Sequence, residues 1–303
     1  MTRVGDLNKR TLRENTEKYS YTEDGDQLLV KQGKRQYTFS KKTGYLMGVS
    51  VNGKKLSFGN GPRFVAVKRA DRSEDGFYNH DDKEAFKKKT SYTEYQDQGT
   101  FAGFCFENGE LTVRYQHGSL NEVRWFFLAQ GQVRMEADYT FNGVVDLLGI
   151  TFDYPESKVK SKQWVGRGLY RVWQNRLQGP QYGFWQTDYN DPIPGETWEY
   201  PEFKGYFADV AWMQFFTTEG SFGIDGVWGF DEESSNNANY VGVYTPRDGR
   251  DHILYTLPET GISILKAIPA VRNKVNTTDL NGPSAQPYWS KGKGNISAIL
   301  RFE

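Results

Sequence analysis

QLLVKQGKRQYTFSKKTGYLMGVSVNGKKLSFGNGP, residues 27–62, reads as four short strands joined by QGKR, KKTG and NGKK. Apolar and polar residues alternate within each run, as a half-buried strand requires, and turn formers close each run. Asn52-Gly53 is the strongest turn, because both residues tolerate the positive φ that a two-residue hairpin imposes. The same rhythm continues in GTFAGFCFE (99–107), LTVRYQHG (111–118), NEVRWFFLAQG (121–131), QVRMEADYTFNG (132–143) and LLGITFDYP (147–155). No long run keeps a helical period, and the charged stretch from Asp81 to Lys89 reads as a solvated loop or short helix. The pattern predicts an antiparallel all-β fold: residues 1–19 a polar leader or linker, residues 20–303 one large sandwich domain. ESKVKSK (156–162) is the one candidate break.

Composition narrows the chemistry. With 303 residues and 37% hydrophobic content the chain can bury a large core without metal or disulfide staples. Lys plus Arg and Asp plus Glu are both 38, so no net field draws in nucleic acid or an anionic membrane. The single cysteine, Cys105, excludes an internal disulfide and is expected as a small buried apolar residue. No stretch approaches the roughly 20 apolar residues of a membrane helix, and the polar N-terminus lacks the hydrophobic centre of a signal peptide. A cytoplasmic protein and a segment of a longer exported chain are both compatible with that start.

From Trp164 to Phe230 the chain turns aromatic and Gly-rich, holding six of its eight tryptophans. Such density fills a sandwich core, with a minority of rings left to stack on ligands. Within this span, WVGRGLYRVWQNRLQGPQYGFW (164–185) resembles the Trp-x-Gly-x-Gly-Pro-x-Glu-x-Tyr-x-Asp-Arg signature of the last domain of family 2 β-galactosidases. Trp164, Gly166, Gly168, Trp173, Asn175 and Arg176 fall on it in register. Three further segments resemble the same domain in the same order. They are residues 42–76 (Gly44, Leu46, Leu56, Gly61, Pro62, Arg69, Ala70, Asp75), YPEFKGYFADVAWMQF at 200–215 (Pro201, Gly205), and QPYWSKGKG at 286–294, similar to a Ser-Trp-Ser-Pro segment. Leu169, Arg171 and Phe203 depart from the family's Pro, Glu and Glu, so no role of those carboxylates carries over.

This resemblance implies a large antiparallel supersandwich of the galactose mutarotase-like class, the C-terminal domain of a β-galactosidase-like hydrolase. Retaining glycosidases need two carboxylates about 5–5.5 Å apart. The family keeps both in a separate barrel, and no βα alternation here builds one. The expectation is therefore a chain with no catalytic residue of its own, packed on a catalytic barrel and contacting a galactoside or a plant or algal polysaccharide fragment. The parent would be periplasmic or extracellular. By resemblance Trp289 is the ring that stacks on sugar in the barrel's site, with Tyr288 sharing the position; Gly282, Pro283, Pro287, Gly292 and Gly294 read as a loop that displays it. Ordinary packing or an interdomain contact is the alternative for Trp289. Arg176 either braces its loop against an acidic neighbour or donates to a sugar hydroxyl.

Other chemistries have weaker signals. Asp188, Asp191, Glu196, Glu199 and Glu202 share one segment, which does not place any two of them together. No cofactor is expected, although DRSEDG (71–76) and DYND (188–191) could hold a structural Ca²⁺ or Na⁺. An aldose mutarotase needs acid and base groups, yet His80, His117 and His252 stand in no matching context. A stand-alone carbohydrate-binding module remains the other alternative.

Overall fold

A computed structural model of the chain describes residues 18–69, 92–95, 97–107, 109–188, 205–226, 238, 240–243, 261–270 and 287–303. In the first part of the chain the strands are β1 (Tyr19–Asp24), β2 (Gln27–Gln32), β3 (Arg35–Ser40), β4 (Leu46–Val51), β5 (Lys54–Leu56), β6 (Gly59–Arg69) and β7 (Tyr92–Tyr95). Then come β8 (Thr100–Glu107), β9 (Glu110–Gln116), β10 (Leu120–Phe127), β11 (Gln132–Val145), β12 (Leu147–Asp153), β13 (Val159–Gly168) and β14 (Gln181–Thr187). The last are β15 (Phe207–Ala208), β16 (Trp212–Thr217), β17 (Ser221–Asp225), β18 (Tyr240–Val243), β19 (Ile262–Ala267) and β20 (Tyr288–Phe302).

The strands form two antiparallel sheets. One runs β1-β2-β3-β4-β6-β12-β19-β18-β15, with β5 added on β4 and β7 on β6; the other runs β14-β13-β16-β17-β20-β11-β10-β9-β8. The antiparallel all-β sandwich is therefore what the alternation foretold, and the supersandwich architecture is what the resemblance implied. The four strands read in residues 27–62 are β2 to β5, and Asn52 and Gly53 both adopt positive φ at their last turn. At Glu156–Lys158 a 3₁₀ turn carries the chain from one sheet to the other. Both sheets draw strands from either side of that turn, so ESKVKSK is a crossover between them.

Alternation places one side of each sheet in a shared core. On β3 the inward residues are Tyr37 and Phe39, on β10 Val123, Trp125 and Phe127, and on β20 Ile296, Ala298, Leu300 and Phe302. Aromatic pairs bridge the sheets: Phe39 meets Trp125 edge-on at 5.4 Å, Phe58 meets Phe302 at 5.4 Å, and Phe64 meets Tyr139 at 5.1 Å. Each such ring contributes about 1.5–3 kcal/mol by leaving water. Central strand β12 is buried on both faces, because a second cluster covers its outer side. That cluster joins Val65, Val67, Leu147 and Leu265 to Val172, Trp173, Tyr206 and Ile268.

Cys105 departs from expectation. It lies half-exposed on edge strand β8, with its thiol 3.3 Å from Glu107, because the alternation of that strand sends it outward. Burial within the sandwich is reserved for the opposite face.

Candidate functional site

The signature segment mostly builds the corner of the fold. Trp164 is wholly buried, packs edge-on to Phe207 at 4.9 Å and donates its indole N–H to the Arg167 carbonyl at 3.1 Å. Trp173 is buried too, perpendicular to Tyr206 at 5.6 Å. Backbone bonds between Val172 and Tyr206 (2.7 and 2.8 Å) tie the connection after β13 to the residue following Gly205. Arg167 pairs with Asp209 and fastens β13 to the connection between β15 and β16.

Between these anchors the connection from β13 to β14 encloses a groove of about 500 Å³. Gly168, Leu169, Tyr170, Arg171, Arg176, Gln178, Gly179, Pro180, Gln181 and Trp185 line it. Trp185 lies flat against Gly168, whose missing side chain leaves room for the ring: a Cβ there would stand 2.6 Å from the indole. The Trp185 N–H is fixed on the Gly166 carbonyl at 3.1 Å. Tyr170 is 51% exposed at the rim. Arg171 is only 3% exposed; it donates to the Val243 carbonyl at 3.0 Å and lies 5.0 Å from the Phe207 ring centre. Arg176 is exposed, its backbone N–H closing a turn onto the Trp173 carbonyl at 2.8 Å. Among the described residues no carboxylate lines this groove, and no bracing ion pair is found for Arg176.

Trp289 is elsewhere. The expected loop is the beginning of β20, which pairs with β11 from Tyr288 opposite Val145 to Arg301 opposite Gln132. Glycines 292 and 294 sit inside the strand; Gly282 and Pro283 lie outside the described residues. The long partner supplies the hydrogen bonds that make a Gly-rich stretch extended. Display of the ring holds nevertheless: Trp289 is 65% exposed, opposite half-open Val144, with the Lys291 ammonium 4.3 Å from its centre. Ser290 donates to the Phe141 carbonyl at 3.0 Å and the Gly292 N–H reaches the Asn142 side chain at 2.8 Å, fixing the strand on either side. Tyr288 turns inward, half-buried against the core. Burial, reinforced by the nearby Tyr288 phenol, raises Tyr139 far above the usual tyrosine range.

β13 and β20 are antiparallel and three strand spacings apart, about 14 Å across the sheet; the register sets Val165 level with Ile299, so Trp289 lies ten residues along β20 from that level and Gly168 three residues along β13 in the same direction. They do not share one pocket. A second groove, of about 450 Å³, opens on the sheet's outer face between Asn121, Glu122, Asp138, Lys293 and Asn295. Its charges are largely satisfied: Arg124 bonds Glu136 at 2.9 Å and Asp138 at 3.2 Å, and Asn295 donates to Asp138 at 2.5 Å. The sequence offered no sign of this groove, because it needs β20 beside β10 and β11, more than a hundred residues earlier in the chain.

Of the remaining candidates, Asp188 is exposed at the end of β14 and His117 is exposed at a positive-φ turn. Asp191, Glu196, Glu199, Glu202, Pro201, Phe203, Asp75, His80, His252, Trp198 and Trp228 lie outside the described residues, as do the whole of DRSEDG and most of DYND.

A family model described as beta galactosidase small chain matches residues 31–263. No curated protein matches the chain in sequence. Among solved structures, galactose 1-epimerase from Lactobacillus acidophilus NCFM is 10% identical, covering 94% of this chain and 98% of its own, with a TM-score of 0.49. A GalM/aldose epimerase homologue from C. elegans is 8% identical, covering 95% and 99%, with a TM-score of 0.35. At such scores nothing of function passes from those proteins to this chain.

Proposed function

This chain belongs to the beta-galactosidase small-chain family, and from that premise we propose that it is a carbohydrate-interaction domain of a family 2 β-galactosidase-like hydrolase. In this reading it packs on a catalytic barrel, supplies no catalytic carboxylate, and offers Trp289 to the sugar site that the barrel provides. One observation carries the reading: Trp289 has the greatest exposure of the large hydrophobic residues described, and it stands on a strand rigidly paired to its neighbour. An exposed indole ring stacks well on the C–H face of a pyranose, and a covering domain explains why so large a ring is left in water. Tyr288, turned inward, would act by fixing the base of that strand, while Arg176 belongs to the neighbouring groove.

The test is Trp289→Ala, read in two settings. In the chain itself, calorimetric titration and indole emission are followed with galactose, lactose and plant-polysaccharide oligosaccharides. In an assembly with a family 2 barrel, KM for an aryl β-galactoside is measured. A fall in affinity, or a rise in KM, of about two- to tenfold is expected, since one aromatic platform is worth about 0.5–1.5 kcal/mol beyond its buried area. Unchanged values in both settings would remove Trp289 from the sugar site.

A further inference from the structure

The groove between β13 and β14 has a composition unlike the rest of the surface. Its walls are aromatic and apolar (Trp185, Tyr170, Leu169, Pro180), its polar side chains include two arginines and two glutamines, and no carboxylate lines it among the described residues. On the outer face of the same sheet, by contrast, Arg124 and Arg134 are each paired with glutamate, Arg134 to Glu136 at 3.2 Å. Arg176 therefore differs from those arginines: it is exposed, it lines a concave site, and it makes no ion pair among the described residues.

We infer that this groove binds an acidic saccharide unit, a pyranose bearing a carboxylate or a sulfate ester. Arg176 receives the anion and the Trp185 and Tyr170 rings receive the sugar's apolar face. The planar guanidinium presents two parallel N–H donors that match the two oxygens of either anion, and such charge-assisted pairs are the strong ones. Gln178 and Gln181 can donate to, and accept from, ring hydroxyls at the mouth of the groove. Arg171 is held behind the wall by the Val243 carbonyl, so Arg176 is the arginine that meets the ligand. A neutral galactoside would use the rings but leave Arg176 in water. The inference rests on the carbohydrate reading of the chain but not on Trp289 or on a barrel.

The full chain is titrated calorimetrically, at low and high salt, with three oligosaccharides of equal length: neutral galactose units, galacturonate units and sulfated galactose units. Trp185 emission is followed alongside. At least one acidic oligomer is expected to bind about tenfold more tightly than the neutral one, with the advantage shrinking as salt is added. Which acidic oligomer prevails distinguishes carboxylate from sulfate. Arg176→Gln should abolish the preference without moving the thermal midpoint, whereas Trp289→Ala should leave it intact. Equal binding of neutral and acidic oligomers, absence of acidic binding, or an Arg176→Gln protein that keeps the preference each overturns the inference. Those outcomes leave the Trp289 result to judge the wider functional reading separately.

Discussion

At the scale of single residues, the strongest polar commitment is the pair between β17 and β20. Arg301 grips Asp225 through Nε at 2.6 Å and Nη2 at 3.0 Å, and both side chains are nearly closed to water. Removing the Asp225 charge leaves the Arg301 guanidinium only the exposed Glu303 carboxylate, 3.4 Å from Nη1, so Asp225→Asn is expected to cost about 3 kcal/mol, the low end of what breaking a buried pair costs, read as a fall in the urea midpoint. Loss below about 1 kcal/mol would mean that water reaches the guanidinium. A second network sets the pH window. Glu219 accepts from the Ser57 N–H at 3.0 Å, the Ser57 hydroxyl at 2.8 Å and the Lys158 ammonium. Burial alone would raise its pKa, but these donors outweigh burial and hold it below the ordinary 4.5. A depressed carboxylate stabilises the fold above its unfolded value, and the contribution disappears as pH falls through the folded value. Tyr154 next to it has the opposite sign. Burial, with the Glu219 carboxylate adding, pushes it to about 12 from 10.0, so its contribution is whole below pH 10 and is lost on rising through 12. Chemical denaturation against pH should show a plateau falling away at both ends. Glu219→Gln should flatten the acid limb, and an unchanged acid limb would exclude Glu219 as its cause.

At the scale of elements, two glycines on strands and turns separate two physical reasons for the same residue. Gly149 sits mid-strand in β12, where an added Cβ would stand 2.3 Å from the Ile264 carbonyl oxygen and 2.8 Å from the Leu265 Cα. Backbone cannot yield there without opening the ladder to β19, so Gly149→Ala is expected to destabilise by about 1–3 kcal/mol or more. Gly53 has open space around it and differs only in its φ of +79°, so Gly53→Ala should cost only about 1 kcal/mol, the strain of a left-handed residue. If the two variants melt alike, crowding is not what holds Gly149. The Gly53 turn was legible in the sequence because a hairpin is local: Asn-Gly and two alternating runs are all that it needs. β20 was not legible. Gly292 and Gly294, after Pro287, look like loop residues, and what extends them is β11, about 150 residues earlier in the chain. The groove was legible only in part. The tryptophan-rich span read as mostly core, which is where Trp164 and Trp173 lie, while Arg171 stood out only as a departure from the family's glutamate. That Trp185 and Arg176 face one cavity depends on how the connection after β13 folds back, which periodicity does not encode.

At the scale of the whole molecule, the two sheets are woven from distant parts of the chain. β12 takes β6 on one side and β19 on the other, while β11 takes β10 and β20. Core contacts obey the same pattern: Tyr37 meets Phe302 at 6.0 Å and Phe58 meets Phe222 at 5.2 Å, across the crossover at Glu156–Lys158. Neither half can keep its inner face covered once the other has gone. Residues 1–155 alone would expose the long edges of β11 and β12 together with the apolar face under them, which is the arrangement that invites edge-to-edge pairing. Calorimetry of the full chain is therefore expected to give one transition, with calorimetric and van't Hoff enthalpies in agreement, and the fragment 1–155 to be insoluble or unfolded. Two resolved transitions, or a soluble fragment with a cooperative melt, would show that the halves are separate folding units joined at ESKVKSK. The same interdependence bears on the sites, because Trp289 stands on β20 and the groove on the β13 connection, three strands apart in one sheet. A change that loosens the Asp225–Arg301 pair in the same sheet is expected to lower the melting temperature of the whole chain, with both sites lost in the same transition.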